Sequence, residues 1–207
     1  MLAWAHGGVR NRIRRLPTPY RSVRLSPCRP RSRALPDGPP SLSRLGPASR
    51  CPGRWECWRP GRAEGRLIGG VINRIVLAQA TRFALPLERF DGAVLFWEET
   101  GGLASHVWSY LQVMRHSGIL DRISGMVVGV PREIGGLEPG VSPTLPEIVL
   151  DVLGDRDIPV LGNVDFGHAG PNLPMPVGIR VGLDAQQRTL ALLEPAVGPH
   201  AMTGPVG

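Results

Sequence analysis

Three short apolar runs, separated by segments with helical periodicity, constrain the fold of this chain more than any other feature of its sequence. The runs are DGAVLFWEE (91–99), ISGMVVGVP (123–131) and IPVLGNVDFG (158–167). Runs this short and continuous are typical of strands that are covered on both faces. Between them, residues 104–119 and 145–155 place apolar side chains at helical spacing. The alternation predicts parallel strands joined by right-handed crossovers, and therefore an α/β fold.

Two further segments flank this pattern. Residues 177–194 alternate between apolar and polar around a polar turn, which predicts an antiparallel hairpin with one exposed face. Residues 68–80 have helical spacing and predict a helix. A parallel core with an antiparallel hairpin makes a small mixed sheet. We therefore expect a linker and first helix over 54–90, an α/β domain over 91–197, and a disordered tail over 198–207.

The first 53 residues differ from the rest of the chain in composition. They hold eleven arginines against a single acid, Asp37, and are dense in proline and serine without apolar periodicity. Such a segment buries too little apolar surface to offset its ordering entropy, so we predict a disordered basic extension over 1–53. A nucleic-acid-binding arm is one interpretation, but aromatic interleaving and a recognised basic motif are lacking. A second interpretation follows from the absence of lysine, since GC-rich sequence translated in a shifted frame gives this mixture.

The remaining composition narrows the class of protein. Three cysteines, at 28, 51 and 57, fit neither a paired disulfide framework nor the ligand spacing of a zinc site, so we expect no metal and no cofactor. The amino terminus lacks the pattern of a secretory signal, and no apolar stretch approaches the ~18 residues of a membrane span. These features predict a cytoplasmic protein without a membrane partner.

Polar side chains stand where two of the predicted strands end. Glu98 and Glu99 follow AVLFW, and Asp165 and His168 follow PVLGNV. The carboxyl ends of parallel strands line the ligand crevice of α/β sheets, so a carboxylate and an imidazole could meet there. Acyl transfer uses this pair, with the imidazole as base and the carboxylate fixing its tautomer. The alternative is structural: a solvated strand end and a turn histidine.

Several stretches, in order and at natural spacing, resemble the C-terminal domain of the LD-carboxypeptidase family, which comprises muramoyl-tetrapeptide carboxypeptidases and the related microcin C immunity peptidases. They are GRAEGRLIGG, DGAVLFWEETGG, HSGILDRISGMVVGVP, IPVLGNVDFGHAGPNLPMPVGIRVGLD and TLALLEPAV, within residues 58–197. The resemblance implies a swivelling β/β/α type of fold. It also implies a cytoplasmic serine peptidase with a Ser-Glu-His triad, which cleaves between a diamino acid and a terminal D-alanine in cell-wall peptides. Microcin-type members instead cleave an amide in a peptide-nucleotide toxin.

Carried over to this chain, the resemblance makes Glu98 the triad carboxylate and His168 the triad imidazole, with Glu99 a weaker substitute for Glu98. The family takes its nucleophilic serine from an N-terminal domain, in a GYSD-like turn that this sequence lacks. The chain also has Val71 where the family often has asparagine, and Gly102 where it often has a second acid. These departures bear on substrate contacts.

Three hypotheses follow for function. The first is a serine peptidase related to the LD-carboxypeptidases, acting on a muropeptide or related peptide. The second is a truncated copy that lacks its nucleophile and is inactive alone. The third is a non-catalytic binding module with a nucleic-acid-binding arm. Because family members are often dimers, and because the face bearing Glu98 and His168 would lie open, we also expect an apolar patch and a homodimer.

Overall fold

The computed structural model describes residues 23–25, 55–168 and 172–197, and its centre is an eight-stranded mixed sheet. The strands are β1 (Val23–Leu25), β2 (Glu56–Arg59), β3 (Arg62–Val71), β4 (Val94–Glu98), β5 (Gly125–Gly129), β6 (Val160–Val164), β7 (Arg180–Asp184) and β8 (Thr189–Leu192). They lie in the order β1-β8-β7-β3-β4-β5-β6-β2. The predicted mixed α/β sheet is confirmed.

The parallel core contains the three apolar runs of the sequence. Strands β3, β4, β5 and β6 pair in parallel, in that order. Every residue of β4 and of β5 is buried. Along β4, Val94 and Phe96 point to one face of the sheet, whereas Leu95 and Trp97 point to the other. The prediction of strands covered on both faces is confirmed.

The four α-helices of the described residues cover one face of this sheet. They are α1 (Ile72–Ala78), α2 (Ala104–His116), α3 (Ile119–Arg122) and α4 (Leu145–Leu153). Their apolar residues pack with Leu95, Trp97 and Met126 in one core. α4 begins with a capping box in which Thr144 and Glu147 bond reciprocally. Among the described helices, none combines the length and hydrophobicity needed to cross a membrane.

The opposite face of the sheet curls and packs against itself. The long strand β3 pairs in parallel with β4 through its second half and antiparallel with β7 through its first half. Side chains from both halves of the sheet, including Leu67, Val127 and Val181, share a second buried core. The β7–β8 hairpin confirms the antiparallel pair predicted over 177–194. The result is a half-barrel with helices on its outside.

The first helix begins later than its spacing indicates. We expected a helix over 68–80, but Ile68 and the three residues after it belong to β3, and α1 covers only Ile72–Ala78. Ile68 pairs with Leu95 of β4, and a side chain at Gly69 would overlap the carbonyl of Phe96. Pairing with the buried sheet therefore outweighs the local helical spacing. The expected linker over 54–90 also contains β2, which pairs with β6 at the edge of the sheet.

Most of the predicted basic extension over 1–53 lies outside the described residues. Its one described part, β1, is a strand that pairs antiparallel with β8. At Val23–Leu25 the structure thus has a strand within the predicted extension, because the edge of β8 offers backbone partners that no sequence pattern reveals. The tail over 198–207 also lies outside the described residues.

Candidate active site

Glu98 and His168 meet at the carboxyl end of the parallel strands. The Nδ1 atom of His168 lies 3.0 Å from each carboxylate oxygen of Glu98. The Glu98 side chain is 7% exposed and that of His168 is 53% exposed. A carboxylate can only accept a hydrogen bond, so Nδ1 carries the proton and Nε2 is the nitrogen left to accept one. The structure thus brings together the two residues selected from the sequence.

Two glycines make room for the Glu98 carboxylate. A Cβ atom at Gly129 on β5 would lie 2.9 Å from the Cβ of Glu98, and one at Gly167 would lie 2.9 Å from Oε2. Gly167 also has a φ of +113°, which side-chain-bearing residues rarely adopt. The carboxylate therefore occupies space that exists because both neighbours lack side chains.

The loop that carries His168 is tied down by polar side chains. The carboxamide of Asn172 accepts from the Gly167 N–H at 3.0 Å and donates to the Gly167 carbonyl at 2.7 Å. Nη1 of Arg132 donates to the His168 carbonyl at 3.0 Å. Asp165 is buried below the loop and accepts from the indole Nε1 of Trp55 at 2.9 Å. Asp165 therefore supports the loop, whereas the carboxylate that contacts His168 is Glu98.

A β-bulge at the end of β6 determines the face of the sheet on which the His168 loop lies. Leu161 pairs with Val127 and Val164 pairs with Gly129, so β6 has one more residue than β5 between these pairs. The added residue, Asn163, has a left-handed φ of +54°, a conformation that asparagine tolerates. As a result Leu161 and Val164, three residues apart, lie in the same core. Without the bulge, the residues after β6 would leave from the helical face.

Glu99 points away from Glu98, as successive strand residues must. Its Oε1 accepts from Asn73 of α1 at 3.3 Å and from the Thr100 backbone N–H at 3.1 Å. Glu99 is also buried. The structure therefore places Glu99 under the helices, out of reach of His168, and does not support it as a substitute for Glu98.

The pair opens into a shallow cleft of about 490 Å³. Its walls are mainly apolar, from Val71, Phe96, Leu173 and Met175. No serine, threonine or cysteine lines this cleft in the described ranges. Serine hydroxyls that form hydrogen bonds within the described ranges contact backbone carbonyls away from the cleft. The hydroxyl of Ser124, for example, donates to the Gly92 carbonyl at 2.9 Å.

An apolar groove adjoins the cleft, and Gly70 and Val71 line both. Three apolar side chains are exposed in and beside the groove: Leu77 at 57%, Phe83 at 70% and Leu85 at 44%. These side chains belong to α1 and the segment after it, so the expected apolar patch on the strands beside the dyad stays a prediction. The expected homodimer stays a prediction.

Several residues that hold the site were missed from the sequence. Trp55 and Arg132 contact the His168 loop from distant segments, and Asn172 bonds to Gly167 within the loop itself. No local pattern marks these three residues. Asn163 did carry a signal, because a Gly-Asn pair inside an apolar strand run is typical of a bulge. The described residues thus define an α/β domain with a buried acid and a half-exposed imidazole at the ends of its parallel strands, a pair that acyl-transfer enzymes use.

Comparison with known proteins identifies the family. Residues 64–183 match the LD-carboxypeptidase C-terminal domain. The chain belongs to this family.

Individual relatives agree with that assignment. A putative carboxypeptidase of Synechocystis is 33% identical over 136 residues, which cover 66% of this chain and 44% of the relative. A probable murein peptide carboxypeptidase of Bacillus subtilis is 24% identical over 143 residues, covering 69% and 44%. The microcin C7 self-immunity protein MccF, solved in complex with aspartyl sulfamoyl adenosine, superposes with a TM-score of 0.62 at 22% identity, covering 70% of this chain and 42% of MccF. The chain thus spans less than half the length of these relatives.

Proposed function

We propose that this chain contributes the acid and imidazole of a serine-peptidase triad that hydrolyses an amide bond in a cell-wall peptide. The observation that carries the proposal is the contact of His168 Nδ1 with both oxygens of Glu98, with the acid buried and the imidazole facing a cleft. Membership of the LD-carboxypeptidase family supports the same proposal independently of this geometry.

In this proposal the two residues have separate roles. Nε2 of His168 accepts the proton of an attacking hydroxyl while the hydroxyl oxygen bonds to the substrate carbonyl carbon. When the C–N bond breaks, the imidazolium returns the proton to the leaving amine. A water molecule that gives a proton to the same imidazole then attacks the acyl ester, which releases the acid, and the imidazolium returns that proton to the hydroxyl oxygen. Glu98 holds the proton on Nδ1 and stabilises the imidazolium, and its burial strengthens that interaction.

The attacking hydroxyl is proposed to come from outside the described residues. No hydroxyl-bearing side chain lines the cleft within the described residues. Removing the nucleophile of a comparable triad lowers turnover on the order of a millionfold. The sequence lacks the GYSD-like turn that carries this hydroxyl in the resemblance described above. We therefore propose that the purified chain is inactive alone, as a truncated copy would be.

The proposed substrate is a peptide that ends in a carboxylate, such as the cell-wall tetrapeptide. The murein peptide carboxypeptidase among the relatives supports this class, and the MccF complex supports a peptide-like aminoacyl ligand. Arg132 lies beside the cleft, where its Nη1 donates to the His168 carbonyl and its Nε pairs with Glu133 at 3.1 Å. We propose that a terminal carboxylate competes with Glu133 for this guanidinium. The proposed compartment is the cytoplasm, where the free thiol of Cys57 would persist.

The experiment is to mix the full chain with L-alanyl-D-glutamyl-diaminopimelyl-D-alanine. Binding is followed through the backbone amide NMR signals, and hydrolysis through release of D-alanine. We expect saturable shifts at Val71, Phe166 and Gly167 without D-alanine release. The tripeptide that lacks the terminal alanine is the control ligand and should bind more weakly.

Two outcomes would change the proposal. Absence of shifts in the cleft at millimolar peptide would remove the muropeptide as substrate. Release of D-alanine that disappears in His168→Gln would show that the chain is active by itself, while keeping the roles of Glu98 and His168.

A further inference from the structure

A second buried carboxylate lies three residues before His168, and the proposed chemistry does not use it. Asp165 is 3% exposed and accepts a hydrogen bond from Nε1 of Trp55 at 2.9 Å, and Trp55 itself is fully buried. Burying a carboxylate is costly unless hydrogen bonds compensate for lost hydration. Keeping one at this position therefore suggests a purpose beyond packing.

We propose that Asp165 is a positioning residue for His168, and that Trp55 holds it in place. The inference rests on the proposed function only in treating Glu98 and His168 as the reacting pair. Trp55 lies outside residues 64–183, so the family match does not include it.

Asp165 closes the base of the His168 loop. Its backbone carbonyl accepts from the Leu173 N–H at 2.6 Å, which joins the two ends of the loop. Closer to His168, the Asn172 carboxamide bonds to the backbone N–H and the backbone carbonyl of Gly167. His168 follows Gly167 directly, so a shift of Asp165 moves the imidazole through a short and well-bonded connection.

Trp55 and Glu98 flank this base from opposite directions along the order of strands β4-β5-β6-β2. It directly precedes β2, which pairs with β6, whereas Glu98 ends β4, two strands away from β6 on the other side. The imidazole thus lies between an acid carried by β4 and an anchor carried by the edge strand. A displacement of about 1 Å in such a site is enough to cost on the order of a hundredfold in rate.

The Asp165–Trp55 bond joins two buried side chains over 2.9 Å. It is also shielded from water, so competition from solvent is weak. The bond therefore limits the positions that Asp165, at the base of the loop, can adopt.

The test is Trp55→Phe in the full chain, with Trp58→Phe as the matched control. Trp58 lies on β2, three residues after Trp55, and its indole donates to Glu56 at 3.1 Å rather than to Asp165. The readout is the ¹⁵N NMR signature of the His168 side chain, which reports the nitrogen that carries the proton and how fast that proton exchanges with water. His168→Gln assigns the signal.

We expect Trp55→Phe to lose the Nδ1-protonated signature or to exchange that proton about tenfold faster, the factor that an ordinary hydrogen bond supplies. Trp58→Phe should match the unaltered chain. Asp165→Asn, which keeps an acceptor but loses the charge, should fall between them and decides the matter if Trp55→Phe fails to fold.

An unchanged His168 signature in folded Trp55→Phe, or in folded Asp165→Asn where Trp55→Phe does not fold, would overturn the positioning role. An equal change in Trp58→Phe would do the same, since it would indicate a general effect of the edge strand. The readout measures the geometry of the pair rather than turnover. Failure of the proposed hydrolase function would therefore leave this result interpretable.

Discussion

Gly167 faces the carboxylate of Glu98 so closely that a Cβ atom on it would lie 2.9 Å from Oε2. Because the same carboxylate holds His168, the geometry of the pair depends on the absence of a side chain at position 167. Gly129 on β5 has a similar role beneath the Cβ of Glu98. Backbone clearance, as much as the polar contact, thus defines this site.

Gly167→Ala should therefore separate Glu98 from His168. The added methyl group makes the close contact with Glu98. The φ of +113° at position 167 also imposes backbone strain of about 1–3 kcal/mol on alanine. Gly178→Ala is the matched control, since Gly178 has a φ of +92° but an open Cβ position. Both variants should lower the melting temperature, but only Gly167→Ala should alter the His168 ¹⁵N signals. Equal His168 signals in the two variants would contradict the clearance argument.

The bulge at Asn163 predicts a difference between two substitutions at one position. Asn163→Gly should keep stability close to that of the unaltered chain, because glycine adopts the φ of +54° without strain. Asn163→Val should cost about 1–3 kcal/mol, since a β-branched side chain is a strong outlier there. Urea unfolding measures both. A valine variant as stable as the glycine variant would show that the backbone does not need this conformation.

Phe166 links the core to the His168 loop. It is 3% exposed, and its ring meets that of Phe96 edge to face with centroids 5.6 Å apart. We expect Phe166→Ala to lower the free energy of unfolding by about 3–5 kcal/mol, as large cavities in cores do. Phe83→Ala removes an equal side chain that is 70% exposed, and should change it by less than about 0.5 kcal/mol. Similar losses in both variants would contradict the burial seen for Phe166.

The capping box of α4 predicts a pH dependence of stability. Hydrogen bonds from the backbone N–H and the hydroxyl of Thr144 lower the pKa of Glu147 from its ordinary value of 4.5. A lowered pKa in the folded state stabilises the fold above the unfolded pKa, and this stabilisation is lost as pH falls through the folded pKa. Glu147→Gln should therefore be less stable than the unaltered chain at neutral pH, with the difference shrinking below pH 4.5. Thermal melts from pH 7 downward measure the difference in melting temperature between the two proteins. A difference that stays constant with pH would exclude the Thr144–Glu147 capping box as its source.

Arg132 provides a prediction for ligand binding. If its guanidinium meets the terminal carboxylate of the peptide, Arg132→Gln should weaken binding by roughly two- to five-fold, the effect expected of a partly exposed ion pair. Arg122→Gln is the control, because Arg122 is also paired with an acid, Asp91, but this pair lies before the start of β4, at the end of the strand opposite to Glu98. NMR titration with the tetrapeptide measures both dissociation constants. Equal affinities in the two variants would remove Arg132 from the binding site.

Much of the parallel core could be predicted from the sequence because its signals are local. Continuous apolar runs identify β4, β5 and β6, since a strand buried on both faces has no polar side. The polar residues where two of these runs end, Glu98 and His168, could be selected for the same reason, because parallel strands bring their carboxyl ends to one edge.

Contacts between distant segments were decided by the tertiary structure alone. Ile68 has helical spacing but joins β3, because its backbone gains hydrogen bonds from β4. Trp55 reaches Asp165 across 110 residues, and β1 pairs with β8 within a stretch that has no periodicity of its own. Pairing of this kind depends on which strand edges and buried polar groups still lack hydrogen-bond partners once the rest of the fold has formed. Periodicity along the chain reports only which face of an element is buried.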